Sequence, residues 1–210
     1  GEAIEAYSTT LGIDTAQNES IINSDIDLTD YDTVIWILGE ESTADDTFNS
    51  TEQSLVASYI AGGGNLFVSG PEIGWDLDNL NNGRTFYNNT LGADYVADNA
   101  GTYSVTGVTG SIFEGISLTF DDGTLFYDTE FPDIISPLGA SVKALNYAGG
   151  SSGAAIQRAG TGGAGNVVML AFPFETIVDA SDRNDIMAAA LDFFGTTGSV
   201  GPFQITDVSR

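Results

Sequence analysis

The amino-acid sequence predicts an α/β domain of three layers: a mostly parallel sheet, helices on both of its faces, and a small antiparallel β insertion or extension. Two observations carry this reading. Residues 33–38 (TVIWIL) and 166–172 (NVVMLAF) are apolar without alternation, the pattern of strands covered on both faces. Between residues 33 and 70 the order is strand, helix, glycine stop, strand, which is a βαβ unit. A chain of 210 residues suits one domain with a substantial core.

The elements follow in order. Residues 2–11 (EAIEAYSTTL) read as a helix, with Ile4, Tyr7 and Leu11 on one face. After a polar stretch comes the strand at 33–38, ended by Gly39-Glu40-Glu41. Residues 51–61 (TEQSLVASYIA) form a second helix with Leu55, Val56, Tyr59 and Ile60 inward. Gly62-Gly63-Gly64 stops it, and residues 65–70 (NLFVSG) make the next strand. The middle is less regular: a short helix at 84–91, short strands at 103–106 and 117–120, and a loop at 133–137 (DIISP). Residues 141–147 and 154–158 alternate like antiparallel strands, and a glycine-rich connection, 160–165, leads into the strand at 166–172. A last helix at 182–194 sets Ile186, Met187, Ala190, Leu191 and Phe194 on one side, with Gly195 in the C′ position.

The domain therefore spans 1–198, and 199–210 reads as a linker or the start of a following domain. A sheet of this kind begins with a strand, whereas this sequence begins with a helix. The strand feeding residues 2–11 is expected upstream of Gly1, and the chain reads as a piece of a longer one.

Composition narrows the chemistry. Thirty acids face five bases, giving a formal charge of −25, and there is no histidine and no cysteine. No Ser-His-Asp triad, thiolate nucleophile or ordinary zinc site can be built. Lys143 is the one lysine. A field of this sign repels nucleic acid and anionic membrane and attracts cations. The Asp-, Asn-, Ser-, Thr- and Gly-rich mixture fits an extracellular or cell-surface protein in calcium-bearing water. No apolar run approaches the roughly 18 residues needed to cross a membrane.

Several of these segments together carry a family resemblance. The stretch Tyr31-Asp32-Thr33-Val34-Ile35-Trp36, the helix closed by Gly63-Gly64-Asn65-Leu66-Phe67-Val68-Ser69-Gly70, and Phe172-Pro173-Phe174-Glu175 resemble class I glutamine amidotransferase-like, flavodoxin-like domains. The likeness is to the non-amidotransferase members appended to secreted bacterial multidomain hydrolases and peptidases. In working amidotransferases a cysteine occupies the turn after the strand that matches 66–68; here the turn holds Ser69, Gly70, Pro71 and Glu72. The family's late Phe-His-Pro-Glu becomes Phe172-Pro173-Phe174-Glu175, so the glutamate is matched and the histidine is gone. The resemblance implies a domain whose catalytic Cys and His positions are vacated.

Ser69 is the residue that could replace the nucleophile, with Glu72 or Glu175 as its base, although a carboxylate is a poor base for an alcohol unless its pKa is raised. Glu40, Glu41, Glu72, Asp76 and Glu175 follow the carboxyl ends of strands, the edge where open α/β sheets bind ligands. Facing carboxylates could work on a glycoside, or could hold calcium, which takes six to eight oxygens. The string 76–83 (DLDNLNNG) has the flavour of a calcium loop, with Asp76 and Asp78 as metal candidates, but breaks the EF-hand spacing. Glu40 and Trp75 are the ligand-binding candidates, with Tyr87 and Tyr127 as further stacking residues. No cofactor other than calcium is implied. Sequons begin at Asn18, Asn49 and Asn88.

The function expected is that of a non-catalytic accessory domain whose partners are neighbouring domains or a surface assembly, with no nucleic acid and no membrane insertion. Two alternatives stand beside it. One is a carboxylate-dependent hydrolase, or a calcium- or carbohydrate-binding module, acting on extracellular polymer. The other is an assembly protein completed by strand addition.

Overall fold

The structure is a computed structural model that describes residues 1–196 and the strand at 202–206. Helix α1 (Glu2–Tyr7) leads to strand β1 (Asp14–Ala16), helix α2 (Asn18–Ile22) and strand β2 (Thr33–Ile37). Helix α3 (Ser50–Ala61) and strand β3 (Asn65–Ser69) complete the βαβ unit. Then come β4 (Ala93–Ala97), β5 (Ser104–Gly107), β6 (Ser117–Thr119), β7 (Ile134–Pro137), β8 (Val142–Tyr147), β9 (Gly153–Arg158) and β10 (Val167–Leu170). Helix α4 (Ala180–Phe194) and strand β11 (Pro202–Thr206) follow.

The continuous apolar runs behave as their pattern requires. Every residue of β2 and of β10 is buried. Along β2, Val34 and Trp36 enter one apolar cluster with Val56, Tyr59 and Ile60 of α3. Ile35 and Ile37 enter a second cluster with Ile4 of α1 and Ile186, Met187 and Leu191 of α4. Successive side chains point to opposite faces, so a strand with core on both sides shows no alternation in its sequence.

The sheet is mixed. Its order is β1-β11-β2-β3-β10-β9-β8-β5-β6, with β7 pairing β9 and β4 off this path. The strands from β1 to β10 in that order run parallel, and β10-β9-β8-β5-β6 pair antiparallel. Strand β11 lies between β1 and β2, parallel to both. Residues 199–201 and 207–210 of the expected linker lie outside the described residues.

Local chemistry explains the boundaries that moved. Helix α1 stops at Tyr7 because Ser8 is extended and its hydroxyl meets that of Thr10 at 2.9 Å, a local bond that competes with helix. Residues 133–137, expected as a loop, contain β7, which pairs with β4. Its proline falls at the last position of the strand, opposite Ala93. Residues 86–91 wind as a π-helical turn. Gly195 adopts φ 69°, the left-handed C′ conformation expected of it.

Helix α3 starts at a capping box: Asn49 accepts from Thr51 and Glu52 N–H, and Glu52 accepts from Asn49 N–H at 2.7 Å. Asn49→Ala is expected to lower stability by about 1 kcal/mol, read as a lower urea midpoint at unchanged slope. The other two sequon asparagines are also engaged, Asn18 with Glu52 and Asn88 with the Ala93 carbonyl, both at 2.8 Å.

The described bases all turn to backbone carbonyls. Arg84 reaches Asp78 O, Arg158 the carbonyls of Asn89 and Thr90, Arg183 those of Ile177 and Val178, and Lys143 that of Ser151. Arg84 also pairs with the Asp78 carboxylate at 2.7 Å. No helix of the described residues is long and apolar enough to cross a membrane.

Candidate functional site

Strand register builds the site. Ile37, Ser69 and Leu170 stand side by side across β2, β3 and β10. The turns after these three strands therefore emerge together at the carboxyl edge of the parallel strands. They carry Glu40, Glu72 and Glu175 respectively. A loop, residues 121–133, spans this edge. It is fastened at its start by Asp121 N–H to Thr176 O (2.9 Å) and at its end by Asp133 N–H to Pro71 O (3.1 Å).

A cleft of about 400 Å³ lies under the loop, lined by Glu40, Glu72 and Pro71 on one side and Tyr127, Asp128, Glu130 and Phe131 on the other. Burial raises the Glu72 carboxyl; a hydrogen bond from Ser42 opposes this, and Asp98, Asp76 and Glu130 add to it. Glu175 does not line the cleft. Its Oε1 accepts from the Tyr127 hydroxyl at 2.5 Å, and its Oε2 is buried without a partner. Burial pushes the Glu175 carboxyl up, partly offset by the Tyr127 bond, and the nearby Glu40 charge raises it further. Burial likewise raises the Tyr127 phenol, together with the Glu175 charge.

Tyr127→Phe is expected to remove about 1–2 kcal/mol of stability and to raise the Glu175 carboxyl further. Carboxyl-carbon NMR titration reads the second effect; an unmoved Glu175 would show that the bond does not hold in solution.

Ser69 is fully buried, and its Oγ accepts the Phe174 N–H at 3.2 Å. No carboxylate hydrogen-bonds to it among the described residues. The serine thus ties the turn after β3 to the turn after β10. Asp76 is also fully buried: Oδ2 accepts from the Thr47 N–H and hydroxyl (3.0 and 2.7 Å), and Oδ1 from Asn82 (2.7 Å). Asp78 accepts from Arg84, Asn88 and the Tyr95 N–H. Among the described residues no three acids converge in a way that could hold a metal ion. Trp75 is half-buried with its ring edge-on to Tyr95, 6.0 Å between centroids. Tyr87, expected as an exposed stacking residue, is instead fully buried, because its ring fills the cluster beneath α3.

Asp133 escaped the sequence analysis. It is buried, and its Oδ2 accepts from the Gly74 and Trp75 N–H groups at 2.7 and 3.0 Å. A Cβ on Gly74 would stand 2.6 Å from the Tyr87 hydroxyl and 2.9 Å from Asp133 Oδ2, so glycine is required by the approach. Burial drives the Asp133 carboxyl well up against the lowering effect of the two N–H donors. Asp121 stands at the start of the 121–133 loop. Its carboxylate gathers the N–H groups of Asp122, Thr124, Leu125 and Phe126 and so shapes the loop over the cleft. An Asp followed by a glycine-containing turn is a signal for such a knot. A lone acid between Pro132 and two isoleucines gives none.

No protein-family model and no curated protein matches the chain. Among solved structures it is similar to the β-galactosidase from Bacillus circulans sp. alkalophilus, at 14% identity and a TM-score of 0.57, covering 83% of this chain and 24% of that one. The mmIFT52 N-terminal domain matches at 13% identity and a TM-score of 0.53, covering 79% and 78% of the two chains. These likenesses show a shared fold. A GMP synthase component from Thermoplasma acidophilum is more distant: 15% identity, TM-score 0.44, with 79% and 94% covered. The chain spans about a quarter of the length of the Bacillus β-galactosidase, and a fold shared by such different proteins does not carry function with it.

Proposed function

We propose that this chain is a non-catalytic accessory domain of a secreted or cell-surface multidomain protein, of the amidotransferase-like type, and that it works by binding at the cleft under the 121–133 loop. The observation that carries the reading is Ser69. At the position of the resembled family's nucleophile stands a buried hydroxyl that accepts a backbone N–H, with no histidine anywhere in the chain to activate it. A carboxylate pair working on one glycosidic bond would need both acids open to substrate, and Glu175 lies under Tyr127. The acidic composition supports an extracellular setting and partners other than nucleic acid.

The test is direct. The purified chain is incubated with glutamine and with chromogenic β-galactosides, esters and peptides. No turnover above buffer is expected. Turnover that Glu72→Gln or Ser69→Ala abolishes would establish an enzyme instead.

A further inference from the structure

We propose that a second cavity, at the edge of the sheet opposite the cleft, binds a small monocarboxylate with a compact apolar body, its carboxylate seated on Arg158. This site is separate from the cleft and stands whether or not the cleft binds anything.

Topology places the cavity. Arg158 ends β9, and its partner in register, Val167, begins β10. Helix α3 runs back against the parallel strands, so its last turns lie at their amino edge. Ala57 and Ile60 of those turns, Leu138 after β7, and the glycine-rich connection after β9 join Arg158 around about 410 Å³. Apolar walls with a few placed polar groups are the usual make-up of a small-molecule site of this size.

Charge sets this cavity apart from the rest of the surface. Thirty of the 210 residues are acids, yet none lines it among the described residues, whereas Arg158 does. The Arg158 side chain is half-buried and forms no ion pair among the described residues. Burial lowers its pKa. A cation drawn out of water without a counter-charge carries an uncompensated cost, and an anion at this point would relieve it.

The guanidinium is also held ready. Nη1 donates to the Asn89 carbonyl at 2.9 Å and Nη2 to that of Thr90, which fixes the plane of the group. Of its five N–H donors, three including Nε–H remain without an acceptor among the described residues. Two parallel N–H groups are what a carboxylate takes from arginine. The carbonyls ending α3 would repel an anion, but those of Ser58, Tyr59 and Ile60 accept from the N–H groups of Gly62, Gly63, Gly64 and Gly165.

The field of the whole molecule selects the class of anion. At a formal charge of −25 the chain opposes a dianion twice as strongly as a monoanion. One guanidinium matches one carboxylate, and a phosphate monoester asks for more. Part of the affinity must then come from apolar burial, which Ala57, Ile60 and Leu138 offer. A short branched or aromatic acid meets both conditions.

The experiment titrates the ¹⁵N-labelled chain with sodium benzoate, with benzamide as a neutral control of equal shape and inorganic phosphate as a second anion. Benzoate is expected to give saturable shifts at the Arg158 Nε–H and at the amides of residues 57–61, 88–90 and 159–165. Benzamide should bind at least about tenfold more weakly, and added sodium chloride should weaken benzoate. Arg158→Gln is expected to abolish binding. Because it also strands the Asn89 and Thr90 carbonyls, Ala57→Leu serves as a second variant: it narrows the cavity and leaves Arg158 and its bonds in place. Its expected result is lost benzoate binding, with amides away from the cavity unmoved. Equal binding of benzamide, or undiminished benzoate binding by both variants, would overturn the assignment. So would unsaturable shifts, or shifts centred on Glu40 and Glu72. Phosphate displacing benzoate at equal concentration would overturn the monocarboxylate in favour of phosphate.

Discussion

Asp76→Ala is expected to destabilise the protein by about 3 kcal/mol or more, and to do so equally with and without calcium. The carboxylate is fully buried and holds three donors: the Thr47 N–H, the Thr47 hydroxyl and the Asn82 amide. Removing it strands these donors, and each buried group left unsatisfied costs about 1–3 kcal/mol. Thr47 is itself buried, so water cannot readily replace the lost acceptor. Asp76→Asn should fall between, since one amide oxygen can keep part of the set while its NH₂ group faces other donors. Urea melts in EDTA and in millimolar calcium check this. A wild-type midpoint that rises with calcium while the Asp76→Ala midpoint stays flat would make Asp76 a metal ligand and not a pin.

Acidification from pH 7 to pH 5 is expected to raise the thermal midpoint by several degrees. Burial raises the carboxyls of Glu72, Asp133 and Glu175 above their ordinary values. A carboxyl raised in the folded state binds its proton more tightly folded than unfolded. The stability this proton adds is therefore complete below the unfolded pKa, about 4, and is lost as pH rises through the raised folded value. In a chain this size each kcal/mol gained is worth about 2–4 °C. Asp27 and Asp121 act in the opposite sense. Hydrogen bonds from Thr29 lower Asp27, and at Asp121 the upward push of burial is outweighed by four hydrogen bonds. Their contribution is present above about pH 4 and disappears below it, so the curve should turn over there. Calorimetry at constant ionic strength from pH 3 to pH 8 decides. A midpoint falling steadily from pH 7 to pH 5 would mean these carboxylates are solvated.

The parts of the fold legible in the sequence are those where one physical cause dominates. Strands β2, β3 and β10 read through because core on both sides leaves an unbroken apolar run, and α3 because its cap and glycine stop are local. The same logic places Glu40, Glu72 and Glu175 in the turns after parallel strands, since such a turn is identifiable from the strand alone. What failed depends on partners distant in the chain. Strand β7 exists because β4 lies beside it. Tyr87 reads as an available ring until the cluster beneath α3 closes on it. Asp133 has no local mark, and its role arises only where residues 121–133 meet the turn after β3.

The way the bases are held has a consequence for the protein in concentrated solution. Because thirty acids face only five bases, and the described arginines and lysine also turn to carbonyl oxygens, the negative charge greatly exceeds what the bases could offset. Each molecule therefore carries a dense cloud of mobile counterions. Two copies approaching one another must compress those clouds, which opposes clustering and precipitation. Osmotic pressure or light scattering should report net repulsion between copies in dilute buffer, fading as the cloud thins to a few ångströms near 1 M salt.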